Sequence, residues 1–164
     1  MTINTLVKNI IGVNRCLVKS VDKEEMDDGT KKLIVTVEPY KSDQCRCPLC
    51  KNGKKLPRYD SSKNMCTWRA LDCGGVIVEL KSNRPRVTCP VHNVISADVP
   101  WAFPNSKFTK DFDLTVAWMA KALCKSAVSE FMRISWMTVG RCVTRAREFL
   151  EPDIQNILHG LRQI

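Results

Sequence analysis

Two short ligand pairs constrain this chain more than any other feature. Cys47-Pro-Leu-Cys50 and Cys89-Pro-Val-His92 have the same shape, and 38 residues separate Cys50 from Cys89. A two-residue gap lets both donors of one knuckle point at a single ion, and two such knuckles complete a tetrahedral shell. The pattern predicts one structural zinc ion held by Cys47, Cys50, Cys89 and His92. With four protein donors there is no open position for a substrate, so the site is a fold staple. Cys45 competes as a ligand by proximity, although its one-residue gap to Cys47 does not form the usual knuckle. The plainer alternative is a group of buried thiols beside a coincidental histidine. A redox role for Cys47 and Cys50 lacks the βαβ surroundings that such chemistry uses.

The remaining thiols, Cys16, Cys66, Cys73, Cys124 and Cys142, read as small core residues or surface thiols. Nine cysteines are an odd number, and the first residues do not show the basic start, apolar run and small-residue cleavage site of a secretory leader. A reducing cytoplasm is therefore the expected compartment, where paired cysteines favour metal over disulfide. No stretch approaches the roughly 20 apolar residues of a membrane-spanning helix, so no membrane partner is expected.

Charge is distributed unevenly. The chain carries a formal +9, and residues 41–92 hold eleven Lys and Arg against four Asp and Glu, while the segments on either side are close to balance. The excess thus sits on the segment of the ligand pairs and predicts attraction to a polyanion such as nucleic acid. Lys51, Lys54, Lys55 and Arg58 form one basic group; Lys81, Arg84 and Arg86 form a second, suited to tracking phosphates.

The fold class expected is α+β: an N-terminal β-hairpin and a small zinc-stabilised β module, followed by an all-helical helix-turn-helix bundle. Cys16–Val21 and Leu33–Val37 are β-branched runs joined by an Asp-Asp-Gly-Thr turn, with Leu33, Val35 and Val37 on one buried face. Thr67–Leu71 and Val76–Leu80 read as short strands inside the zinc module. The expected divisions are 1–44 for the hairpin, 45–95 for the zinc module, 96–108 for a connector around Pro100-Trp101-Ala102-Phe103-Pro104, 109–150 for the bundle and 151–164 for a last short helix. In the bundle, Thr109 caps a first helix with Phe112, Val116, Met119, Ala120 and Leu123 inward. Ser126 caps a second helix ending at Met132. A third runs from Ser135 to about Leu150, with Val139, Cys142, Val143 and Ala146 inward. Pro152 begins the final helix, which carries His159 near its end. Trp118, Met119, Phe131 and Met132 are expected in the core.

The short second helix, the tight Arg133-Ile134-Ser135 link and the long third helix have the proportions of a DNA-reading helix-turn-helix. Ser135, Trp136, Met137, Thr138, Arg141, Thr144 and Arg145 are expected at the start or on the outer side of the third helix. Arg141 and Arg145, four residues apart, would reach guanine edges or phosphates. An ordinary three-helix bundle with a solvated basic face is the alternative.

Several segments resemble the bacterial transposases of the ISL-three insertion-sequence type: Trp68-Arg69-Ala70-Leu71-Asp72, Pro85 to His92, Val99-Pro100-Trp101-Ala102, Phe108 to Phe112, and Lys125 to Val128 through Thr138 to Arg141. That family has an N-terminal zinc finger, a helix-turn-helix and a DDE catalytic domain. The resemblance implies binding of double-stranded DNA at the terminal inverted repeats of a mobile element, in the bacterial cytoplasm at the nucleoid, with a second copy or a full-length transposase as further partners. It also implies that the chain ends before the first catalytic aspartate. Metal-assisted strand transfer needs converging carboxylates, and after Asp113 the acids are Glu130, Glu148, Glu151 and Asp153, on helical segments near basic residues. No enzymatic activity is therefore expected of these residues alone. The rival readings are a stand-alone repressor of transposition and a zinc-dependent protein-interaction module.

Overall fold

A computed structural model describes residues 3–27, 29–50, 53–60 and 65–151. The chain divides into two compact units, Met1–Phe112 and Asp113–Ile164. Lys51 and the helix expected from Pro152, with His159, lie outside the described residues.

The first unit opens with a helix, α1 (Ile3–Ile11), which sequence reasoning missed. Its apolar residues Leu6, Val7, Ile10 and Ile11 follow a helical period, and Val7 and Ile11 pack on the main core. Gly12 ends it at φ +73°, and a Cβ there would stand 2.7 Å from Asp111 Oδ2. The left-handed backbone favours glycine at this position, and a side chain there would also make the Asp111 carboxylate shift.

The hairpin follows as expected, but with longer strands. β1 (Cys16–Glu25) and β2 (Lys31–Pro39) pair antiparallel, with an irregularity between Val18 and Ser20. β3 (Met65–Arg69) and β4 (Ile77–Asn83) also pair antiparallel, and β4 lies parallel to β2. The result is one four-stranded sheet in the order β1-β2-β4-β3. This corrects the expected division at residue 44: the strands assigned to the zinc module belong to the sheet of the hairpin. Val35, Val37, Trp68 and Leu80 form its core with Val13, Cys16, Val99, Trp101 and Ala102, and Leu33 packs at the margin. Ile34, on the other side of β2, is buried as well, while Lys32 and Thr36 on that side are half-buried. Trp68 and Trp101 meet edge to face at 5.5 Å between ring centres, a favoured aromatic geometry.

A separate two-stranded hairpin, β5 (Arg86–Cys89) and β6 (Asn93–Ser96), turns at the second ligand pair, with Cys89 opposite Asn93. Val87, Cys45 and Ala97 form a small core beneath it, with Leu56 and Ile95 alongside. The module expected around the two ligand pairs is therefore this hairpin and the loop that carries Cys47 and Cys50.

Thr109 caps α2 (Lys110–Met119): its Oγ1 accepts from the Phe112 N–H at 3.4 Å. The helix stops at Met119, four residues short of the expected Leu123. In the second unit α3 spans Lys125–Met132 and α4 spans Trp136–Leu150. Cys124, not Ser126, is the N-cap of α3, and it makes no side-chain cap bond. Val116, Met119, Val128, Met132, Val139, Cys142 and Ala146 are buried. Trp118 and Phe131, expected in the core, are 72% and 73% exposed. Both occupy helix positions turned away from the buried stripe.

Candidate metal centre and nucleic-acid interface

The first knuckle lies in a loop and the second at the β5–β6 turn, and the fold brings their four donors together. The ligand atoms of Cys47, Cys50, Cys89 and His92 all lie within 4.8 Å of one another. His92 Nδ1 stands 3.5, 3.4 and 3.6 Å from the sulfurs of Cys47, Cys50 and Cys89, and the sulfurs of Cys50 and Cys89 are 3.5 Å apart. Tetrahedral bonds of about 2.3 Å to sulfur and about 2.0 Å to nitrogen place donors roughly 3.5–3.8 Å from each other. The donor set therefore fits one metal ion. Cys47 and Cys89 are buried, and Cys50 and His92 are half-buried.

The two touching thiols are electrically unlike. Hydrogen bonding to Cys89, reinforced by burial and by Cys47, pushes the Cys50 thiol up to about 11. Burial also acts to raise Cys89, but backbone N–H groups of His92 and Val91 outweigh it and bring that thiol down to about 6. Those amides belong to the knuckle itself, so the turn that aims Cys89 also favours the thiolate a metal needs. Cys45 stands apart from the group. Its backbone is left-handed at φ 61°, and its sulfur is buried and accepts from Arg58 Nε at 3.4 Å.

The basic residues near this centre are largely engaged within the protein. Arg86 pairs with Asp60, donating from Nε at 2.7 Å, and lies over the Tyr59 ring. Arg84 donates from Nε to the Ala97 carbonyl at 2.7 Å. Lys81 is half-buried in mid-sheet, opposite Thr36 and Thr67.

In the second unit α3 ends on Arg133 in a left-handed conformation, φ 53° and ψ 47°. The Arg133 N–H donates to the Glu130 carbonyl and the Ile134 N–H to the Ser129 carbonyl, both at 3.1 Å. This paired closure is a Schellman motif, which stops a helix and redirects the chain sharply. Ser129 Oγ donates to the Ile134 carbonyl at 2.6 Å and secures the turn. Ser135 then caps α4, accepting from the Thr138 N–H at 3.3 Å. Along α4, Val139, Cys142 and Ala146 face inward. At about 100° per residue, Met137, Arg141 and Thr144 fall on the opposite side, and all three are exposed. Residues 97–147 match the family model described as the helix-turn-helix domain of transposase family ISL3.

This part of the chain is similar to the helix-turn-helix domain of transposase family ISL3. Over 161 residues the chain is also 41% identical to the transposases for insertion sequence element IS1557 of two Mycobacterium tuberculosis strains, CDC 1551 / Oshkosh and ATCC 25618 / H37Rv. The matched region is 97% of this chain and 36% of each relative, so the chain spans about a third of the length of the curated relatives it matches. No solved structure matches it.

Within this helix-turn-helix, the residues expected on DNA divide into two groups. Met137 and Arg141 stand on the outer face of α4. Thr144 shares that face, with its hydroxyl bonded back to the Gly140 carbonyl at 3.1 Å. Ser135 and Thr138 are tied to each other at the cap, 2.7 Å between their oxygens. Arg145 departs from the expectation. It donates from Nε and Nη2 to the two carboxylate oxygens of Asp113, at 2.9 and 2.7 Å. Asp113 is fully buried, so Arg145 is its counter-charge and not an outward-reaching contact. The sequence signal was available in Asp113, an acid at a position that the helical period turns inward.

Proposed function

We propose that this chain binds double-stranded DNA through α3 and α4, as the part of a transposition protein that recognises the terminal inverted repeats of a mobile element. The supporting observation is the outer face of α4 in a helix-turn-helix similar to that of transposase family ISL3: Met137, Arg141 and Thr144 opposite the buried stripe, with Arg141 exposed and in no ion pair among the described residues. A helix entering the major groove presents such residues to base edges. Lys81, Arg84 and Arg86, expected from the sequence to track phosphates, are not carried into this reading, because Arg84 and Arg86 are engaged within the protein and Lys81 is half-buried in mid-sheet.

The metal we assign to Cys47, Cys50, Cys89 and His92 is zinc, one ion in a structural role. Three thiolates and one imidazole in a closed tetrahedron suit zinc. The reading is of binding without cleavage: among the described residues Glu130, Glu148 and Glu151 are exposed and belong to no group that could hold a metal ion, whereas strand transfer requires converging carboxylates.

Selection of a randomised duplex library on the purified chain tests the reading. The expected result is enrichment of one sequence, weakened by Arg141→Ala to an extent of about 1–3 kcal/mol. Failure to retain any duplex at low salt would overturn it, and magnesium-dependent cutting of the selected duplex would overturn the non-enzymatic part.

A further inference from the structure

Lys125 is the first residue of α3 and Trp136 the first of α4, and the fold stacks one on the other. The Lys125 ammonium lies 3.4 Å from the centre of the Trp136 ring. One turn along α4, Gly140 lies on the same side of the helix as Trp136. A Cβ at Gly140 would stand 3.1 Å from Lys125 Nζ and 3.5 Å from its Cε. The lysine end therefore occupies a notch with the indole as wall and Gly140 as floor.

Three observations give this notch a purpose. Gly140 has no left-handed backbone angle, so its conformation does not call for glycine, and a helix-interior glycine is less stable than alanine. The missing side chain makes room for the ammonium. Lys125 is half-buried and has no carboxylate partner among the described residues, so its charge is held in place and left without a counter-anion. Finally, Met137 and Arg141 directly follow Trp136 and Gly140 in the chain, which sets the notch at the border of the outer face of α4.

We infer that Lys125 is a phosphate contact, preset by Trp136 and Gly140 to meet a phosphodiester of the DNA backbone as α4 enters the groove. This rests on the DNA-binding reading of α4 given above. The indole holds the ammonium by cation–π attraction without neutralising it, and a lysine fixed before binding loses less side-chain freedom when the phosphate arrives. The contact is sequence-independent: it sets the position of α4 and reads no base.

Salt titration of the full chain on a mixed-sequence duplex tests the inference. Each neutralised phosphate contributes about 0.9 to the slope of log affinity against log salt. Lys125→Gln is expected to reduce the slope by about that amount, so its deficit against wild type shrinks roughly 3.5-fold between about 50 and 200 mM salt. Lys125→Arg should keep the slope. Gly140→Ala supplies an independent reading: melting temperature should rise with helix propensity while low-salt affinity falls, because the new methyl displaces the ammonium. An unchanged slope in Lys125→Gln, with wild type binding and Arg141→Ala weakened, overturns the inference and leaves the DNA reading standing. Absence of wild-type binding removes both. If Lys125 were only a structural staple, Lys125→Gln would lower the melting temperature without altering the slope, which also overturns the phosphate contact.

Discussion

Arg145 grips Asp113 with two parallel hydrogen bonds, 2.9 and 2.7 Å long, joining α4 to the start of the second unit around a carboxylate with no solvent exposure. Cys142 completes the surroundings. Its thiol, raised to about 12 first by burial and then by hydrogen bonding to Asp113, stays protonated. The planar guanidinium fork fits a carboxylate that lysine would meet at one point only.

Two arginines four residues apart on α4 should therefore behave oppositely. Arg145→Ala leaves a buried carboxylate without its partner and should cost about 3–5 kcal/mol of folding stability in urea denaturation. Arg141→Ala should stay within about 0.5 kcal/mol of wild type in the same measurement and lose DNA affinity instead. Equal stability losses would contradict the assignment of the two side chains.

The metal assignment predicts about one zinc per purified chain by elemental analysis. Cys89→Ser should lower that content and destabilise the β5–β6 module, and chelation should do the same, because binding and folding free energy are linked. Cys45→Ala should retain the metal, since that sulfur lies in the small core with Val87. Cobalt substitution gives a second readout, the absorption of a tetrahedral thiolate site.

Burial raises the Asp98 carboxyl above its ordinary range, against the pull of Lys110, the Val99 N–H, Arg84 and Arg46. A carboxyl raised on folding adds stability that is complete below its unfolded value and is lost as pH rises through its folded value. At neutral pH the ionised Asp98 thus opposes folding. Asp98→Asn should stabilise the chain near pH 7, and the gain should shrink as pH falls toward about 4. Denaturation midpoints across that range check the sign; a gain that grows in acid would contradict it.

The exposed aromatics of the helical unit supply a further contrast. Trp118→Ser and Phe131→Ser should each change stability by no more than about 0.5 kcal/mol. Met119→Ala removes a buried side chain and should cost about 2–5 kcal/mol. Thermal melts of the three variants decide whether the helical stripe lies where the structure has it.

The local devices were legible because neighbours along the chain make them. Cys47 with Cys50, and Cys89 with His92, each bring two metal-capable donors together through their own turns, and Ser135 caps α4 with the amide three residues on. The missed α1 also had a readable stripe in Leu6, Val7, Ile10 and Ile11, but at nine residues a helix is marginal until tertiary packing holds it. The sequence by itself determined which four Cys and His donors cluster, the hairpin and the helix-turn-helix. Tertiary structure alone decided that β4 pairs with β2, that Arg145 serves Asp113, and that Trp118 faces outward. Each of these depends on a partner distant in the chain, and neither helical period nor strand alternation specifies which distant partner a residue will meet.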